Sequence, residues 1–235
     1  MFRLILALAL SITACASISP AEGLNPTSKL PVLHPVPGRT IQIVDIIGNN
    51  MQPLIFKMAL MALDSNEPIY ILINSPGGYV SSGEEFMQAM YKLQAHGITI
   101  KCIANEAASM AMYILDACTE RYAVPSARLL WHPVKAVIRQ PISSRMADEL
   151  SEELKRTDDY YRLPMIKHLG VDEESFEKYR WEEKWWNVTE LLHYAKDGYM
   201  QAIAGFEGVT WDKPEANPFN LLVQPSKNYV LYNLK

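Results

Sequence analysis

The stretch IYILINSPGG, residues 69–78, decides the fold. Its opening run, IYILIN, is apolar on successive rather than alternate positions, the pattern of a strand covered on both faces. Pro76 ends that run, and Gly77 and Gly78 let the backbone turn sharply. Beyond the turn, Phe86, Met90 and Leu93 mark one face of a helix that Gly97 stops. Working outward, TIQIVDII (40–47) and ITIKCIA (98–104) are short β-branched runs that predict two more strands. Leu54, Ile55, Met58, Ala62 and Leu63 keep helical spacing between the first strand and the second. Such strand–helix alternation implies right-handed crossovers and a largely parallel sheet covered by helices, an α/β fold.

Further along, a helix is expected from near Ala108, with short strands near 121–124 and 128–131. Residues 142–169 predict a long helix with Met146, Leu150, Leu154, Tyr161 and Met165 along one stripe. Pro164 is expected to bend or interrupt it. A short acidic helix (173–180) follows, then another from Thr189 to Lys196 capped by Thr189 and ended by Gly198. Past Gly205, LLVQP and NYVLYNL either add edge strands or stay irregular. There is no internal repeat and no phosphate-binding glycine loop.

The chain has 235 residues, 49% hydrophobic and 20% charged, which excludes disorder along its whole length. A formal net charge of -4 leaves no global basic field for nucleic acid. Its three cysteines match no zinc spacing and cannot build a disulfide framework, so no metal or cofactor is expected. Cys102 and Cys118 read as small buried hydrophobes. Whether they pair is left open by their spacing.

Residues 1–15, MFRLILALALSITAC, set one cation before a short apolar run and small residues before Cys15. That is the layout of a secretory signal, too short to span a bilayer. Its ending resembles the lipobox of bacterial lipoproteins, which implies cleavage after residue 14 and acylation of Cys15, with an exported chain held at a membrane by buried hydrocarbon. The five prolines of residues 16–37 predict an extended tether. The expected division is therefore a signal peptide (1–14), a lipid-anchor cysteine and tether (15–37), a catalytic domain (38–205) and a C-terminal extension (206–235).

Four elements carry candidate chemistry. Ser75-Pro76-Gly77-Gly78 is a turn whose bare N–H groups can approach a ligand. Asn105-Glu106-Ala107-Ala108-Ser109-Met110 puts a serine among small residues where a strand passes into a helix. Alone, Ser109 reads as an N-cap. Trp131-His132-Pro133 ends a strand, where an imidazole can reach a hydroxyl on a neighbouring strand end. Glu182-Glu183-Lys184-Trp185-Trp186 reads by itself as a solvated charge cluster beside an apolar anchor.

In order and spacing, these elements together resemble the Clp protease proteolytic subunit family, within the wider superfamily that includes the crotonases. Ser109 follows Gly78 by 31 residues, and His132 follows Ser109 by 23. The resemblance runs from about Gly38 to Gly198. It implies repeated β-β-α units with a projecting long helix, a homo-oligomer, and a serine-type endopeptidase acting on peptides or unfolded chains. Carried over residue by residue, it assigns Ser109 as nucleophile, His132 as base and Glu183 as the third triad member, with Glu182 as the neighbour to test next. The Gly78 and Met110 amides fall on the oxyanion hole. Asn105 stands where the family has glycine, and the segment after His132 lacks the family's paired glycines. Trp131 and Trp185-Trp186 are expected to wall the site instead. The family's ATP-driven unfoldase partner does not carry over, because an exported chain would work where ATP is absent. A catalytically weak binding or assembly protein of the same fold is the alternative. A crotonase-like thioester enzyme would use the same amide pair, but the serine–histidine arrangement favours peptide hydrolysis.

Overall fold

The computed structural model describes residues 33–206 and 229–232. The signal segment, Cys15 and most of the tether lie outside these residues. In chain order the elements are β1 (Thr40–Val44), α1 (Met51–Asp64), β2 (Ile69–Ser75), α2 (Val80–Ala95), β3 (Ile100–Ala108), α3 (Met110–Asp116) and β4 (Glu120–Leu130). Then come α4 (Ser144–Leu169), α5 (Glu173–Trp181), β5 (Trp185–Asn187), α6 (Val188–Tyr194), β6 (Ala202–Phe206) and β7 (Tyr229–Tyr232). The sheet order is β1-β2-β3-β4-β6-β7, with β5 also pairing with β4. The pairs from β1 to β6 along that path are parallel, while β5 and β7 run antiparallel to their neighbours. This is the helix-covered, largely parallel α/β sheet expected from the strand–helix alternation.

β2 is buried on both faces, as its unbroken apolar run demands: Ile69, Ile71, Leu72 and Ile73 are all shielded from solvent. β1 is shorter than expected and stops at Val44, because Asp45 takes a positive φ of 67°. β3 instead runs four residues past its expected end, to Ala108. The two strands expected near 121–124 and 128–131 are one strand. Its register with β3 jumps between Ala123 and Arg128, and Pro125, which has no N–H for a ladder, sits in that irregular stretch. β5, which the sequence reading missed, is only three residues long and is defined by its partner.

α4 runs unbroken through Pro164 and ends at Gly170 in the left-handed conformation (φ 68°). It buries Tyr161, Met165 and Leu169 but no residue of its first seventeen. α6 is capped by Asn187 and not by Thr189. The Asn187 side chain accepts the Glu190 N–H at 2.8 Å, and the Glu190 carboxylate accepts the Asn187 N–H at 3.1 Å, a reciprocal box that outcompetes a lone threonine.

Cys102 in β3 and Cys118, two residues beyond α3, form a disulfide across a Cα–Cα distance of 6.0 Å. The closed loop contains the strand end, the turn at Ser109 and all of α3. Both cysteines are buried, at 0% and 4% exposure. A cross-link closing a loop of this length stabilises by about 3 kcal/mol, chiefly by restricting the unfolded chain. In the oxidised protein, even when denatured, Cys102 and Cys118 should therefore give no reaction with thiol titrants until the bond is reduced. Replacing both cysteines with alanine should reduce unfolding free energy by about that amount in a denaturant titration. Equal stability would remove the cross-link from the account of the core.

Candidate active site

The serine is placed by sheet pairing. β3 and β4 are in register at Ala107 with Leu129 and Ala108 with Leu130. One residue further on, the Ser109 N–H donates to the Leu130 carbonyl at 2.9 Å. Ser109 occupies the cap position of α3, yet its side chain makes no capping bond and its backbone sits at φ 55°, ψ -126°. A non-glycine residue held there is strained by about 1–3 kcal/mol. The same kind of sharp strand-to-helix elbow presents the nucleophile in serine hydrolases. Ser109 is thus not an ordinary N-cap.

Against this elbow lies the glycine turn. The Ile47 N–H donates to the Gly77 carbonyl at 2.8 Å, and the Tyr79 N–H donates to the Ile47 carbonyl at 2.9 Å. The Ser75 hydroxyl donates to the Asp45 carbonyl at 2.5 Å and accepts the Gly77 N–H at 3.1 Å. Gly77 has φ 94°, and a Cβ there would stand 2.5 Å from the Ala108 carbonyl oxygen and 2.6 Å from the Ser109 Cβ. Only glycine lets the turn close on the serine. The Gly78 N–H is left out of the bridge to Ile47, and the Met110 N–H opens α3 with no carbonyl one turn back to meet it.

Gly78, Ser109, Met110 and His132 line one cleft of about 200 Å³, together with Lys135 and Tyr161. Four of the predicted site residues therefore come together. His132 Nδ1 lies 2.7 Å from the Pro133 carbonyl oxygen. A carbonyl only accepts, so Nδ1 is the donor, and in the neutral ring Nε2 then holds the lone pair that a general base needs. Glu183 is outside the cleft lining. The antiparallel register pairs Leu129 with Trp186 and Leu130 with Trp185. That ladder stops at Leu130 and Trp185, and Glu183 lies two residues before β5, in the turn that follows α5. Glu183 has a positive φ of 50°, and its carboxylate is engaged by Lys135. The Lys135 ammonium first, and the His132 ring after it, hold that carboxyl below the usual glutamate range.

Two supports of the site have no signature in the sequence. Asp158 on α4 accepts the Val134 N–H at 2.9 Å, fixing the chain two residues past His132. Both oxygens of the same carboxylate pair with Arg180, at 2.7 and 2.6 Å, and Arg180 is 3% exposed. A buried guanidinium on α5 therefore anchors the histidine segment through α4. Nothing in helix periodicity distinguishes Asp158 from the solvated acids around it.

The aromatic wall is corrected. Trp131 is 2% exposed and packs edge-on to Phe176, while Trp186 stacks on Tyr194 at 4.6 Å. Both belong to the core beneath β4 and β5, and the cleft lining includes neither. Trp185 lies under the Arg128 guanidinium, 4.3 Å from the ring centre. Asn105 is the extra residue of the β3 bulge; its amide donates to the Asn74 side chain at 2.8 Å, so a larger residue than glycine fits there.

A groove of about 740 Å³ between α1 and α2 shares no lining residue with the serine cleft. Among the described residues no cluster of three or more His, Cys, Asp or Glu side chains could hold a metal ion, and no helix is long and apolar enough to cross a membrane.

Comparison with known proteins agrees with this geometry. The chain is 29% identical over 157 residues to the ATP-dependent Clp protease proteolytic subunit 3 of Streptomyces avermitilis, covering 65% of this chain and 69% of that one. It is 34% identical over 117 residues to the ATP-dependent Clp protease proteolytic subunit 2 of Prochlorococcus marinus strain MIT 9313, covering 49% and 57%. The corresponding subunit of strain MIT 9312 is 32% identical over 146 residues, covering 58% and 66%. The chain thus spans 57% to 69% of the length of these relatives. The Clp protease family model matches residues 35–196, well over half of the sequence. The chain belongs to the Clp protease family.

Proposed function

We propose that the protein is an exported, lipid-anchored serine-type endopeptidase of the Clp type, hydrolysing short or unfolded peptides. Ser109 Oγ attacks the peptide carbonyl, and His132 Nε2 takes its proton and later returns it to the leaving amine. The Gly78 and Met110 amides receive the negative oxygen of the tetrahedral intermediate, each worth about 3 kcal/mol in comparable enzymes. Glu183 stabilises the imidazolium from the turn that leads into β5. The observation that carries this reading is the shared cleft of Ser109, His132, Gly78 and Met110. A fluorophosphonate should label the wild type and spare Ser109→Ala, with the adduct read by intact mass. Labelling of both proteins, or of neither, would sink the hydrolase.

One observation favours the alternative of a weakly active or inactive binding protein: Lys135 engages Glu183, while the histidine ring is held by Pro133. Kinetics separate the two. Glu183→Gln should lower kcat by about 10²- to 10⁴-fold, as loss of a triad acid does. Glu182→Gln should leave kcat within about twofold, since Glu183 is the carboxyl on which the His132 ring acts. Equal effects of the two substitutions would remove Glu183 from the triad.

Export is supported by the buried disulfide, a bond that persists in oxidising compartments and is rare in the cytosol. The lipobox-like ending at Cys15 supports an anchor. Fractionated cells should carry the wild type with the membranes, and Cys15→Ser should release it to the soluble fraction. A soluble wild type would remove the anchor. A homo-oligomer built in part on α4 belongs to the same proposal: Met146 and Leu163 stay exposed on that helix.

A further inference from the structure

Beside the serine cleft lies a second cleft, also of about 200 Å³, and the two share Tyr113 and Tyr161 as a common wall. Glu84, Gln88 and Tyr91 from α2, Asp116 from the end of α3 and Tyr160 from α4 complete its oxygen-bearing lining. Every one of these groups presents oxygen. His168 is the sole basic group among the lining residues, and its Nδ1 is 2.7 Å from one Asp116 oxygen. Tyr161 is 6% exposed, and its hydroxyl is buried without a hydrogen-bond partner. Burial first, and then the Glu84 carboxylate, push that hydroxyl's pKa upward.

We propose that this second cleft is the subsite for a cationic side chain, lysine or arginine, of a peptide whose carbonyl lies at Ser109. The inference rests on the peptidase reading and adds to it a substrate class. An anionic side chain would meet Glu84 and Asp116, two carboxylates with one imidazole between them. An apolar side chain would leave the Tyr161 hydroxyl unpaired and buried, which is unfavourable. A cation satisfies the hydroxyl, the Glu84 carboxylate and the Asp116 oxygen that His168 leaves unpaired, and the tyrosine rings offer it their electron-rich faces. Reach agrees with the choice. Asp116 is seven residues beyond Ser109 along α3, about 10 Å at the helical rise, so only a long side chain approaches it. The space is too small for a folded partner or a drug-sized ligand.

The test uses the full Ser109→Ala protein, so that binding is read without turnover. Two N-acetyl tripeptide amides, identical except for a C-terminal lysine or norleucine, are titrated by calorimetry. Lysine should bind about tenfold more tightly. Adding Glu84→Gln, a partly exposed and nearly isosteric change, should reduce that ratio to about threefold or less. Equal affinities, tighter norleucine, or no binding of either peptide would overturn the proposal, as would a ratio untouched by Glu84→Gln. If Ser109 labels with fluorophosphonate but lysine has no advantage, this inference alone falls. A lysine advantage in a protein that does not label would remove the peptidase and leave the cleft a cation-binding site.

Discussion

The structure depends on one alignment, the parallel pairing of β3 with β4 that ends in the Ser109 N–H bonded to the Leu130 carbonyl. Parallel strands cannot be joined by a tight turn, so 23 residues separate the serine from the histidine in sequence. The ladder cancels that separation. It brings the C-terminal ends of both strands to one edge of the sheet, where ligands bind in open α/β folds. The glycine turn after β2 arrives at the same edge by the same pairing logic, through Asn74 with Glu106 and Ser75 with Ala107. Three strand ends thus supply a turn, a serine and a histidine with no contribution from long loops.

Holding that edge requires strain at Ser109 to be offset by its surroundings. The serine backbone lies in a region worth about 1–3 kcal/mol of strain. The disulfide closing the loop around it contributes about 3 kcal/mol and ties the strand before the elbow to the turn after α3. The histidine side is fixed by charge and not by covalent bonds. Arg180, buried with Asp158 and Glu177 as partners, holds the α4 carboxylate that captures the Val134 N–H. Removing one partner of such a buried pair leaves a stranded charge and is far more damaging than loss of an exposed pair.

Much of the fold was legible in the sequence, for particular reasons. The unbroken apolar run of β2 announced a strand buried on both faces, and the glycines after it announced a turn; both are local signals. Ser109 and His132 were legible only as a spaced pair matched to a family, because a cap serine and a strand-end histidine mean little separately. β5 escaped because three residues carry no period; the pairing with Arg128, Leu129 and Leu130 creates it. Asp158 escaped because its role lies in a contact to a backbone amide 24 residues away. The wall of tryptophans failed for a related reason. Adjacent tryptophans at a strand point to opposite faces, so Trp186 is buried at 4% while Trp185 is 39% exposed.

In the proposed peptidase, glutamate at position 183 in place of the usual triad aspartate is tolerable on physical grounds. A triad acid performs two tasks: it selects the histidine tautomer and it stabilises the imidazolium that forms. Here the Pro133 carbonyl oxygen, 2.7 Å from Nδ1, already performs the first. A carbonyl dipole contributes less to the second than a full carboxylate, and in the proposed peptidase that task falls to the acid in the turn before β5. Its requirement is charge at modest range and not one fixed hydrogen bond, so an extra methylene matters less. Lys135 competes for the same carboxylate, but both side chains are about half exposed, and such pairs are worth only about 0–1 kcal/mol. In the proposed mechanism, an imidazolium forming beside Glu183 in a site from which substrate excludes water would attract it more strongly than that. The exposed lysine thus holds the acid near the histidine without outbidding the charge that develops there.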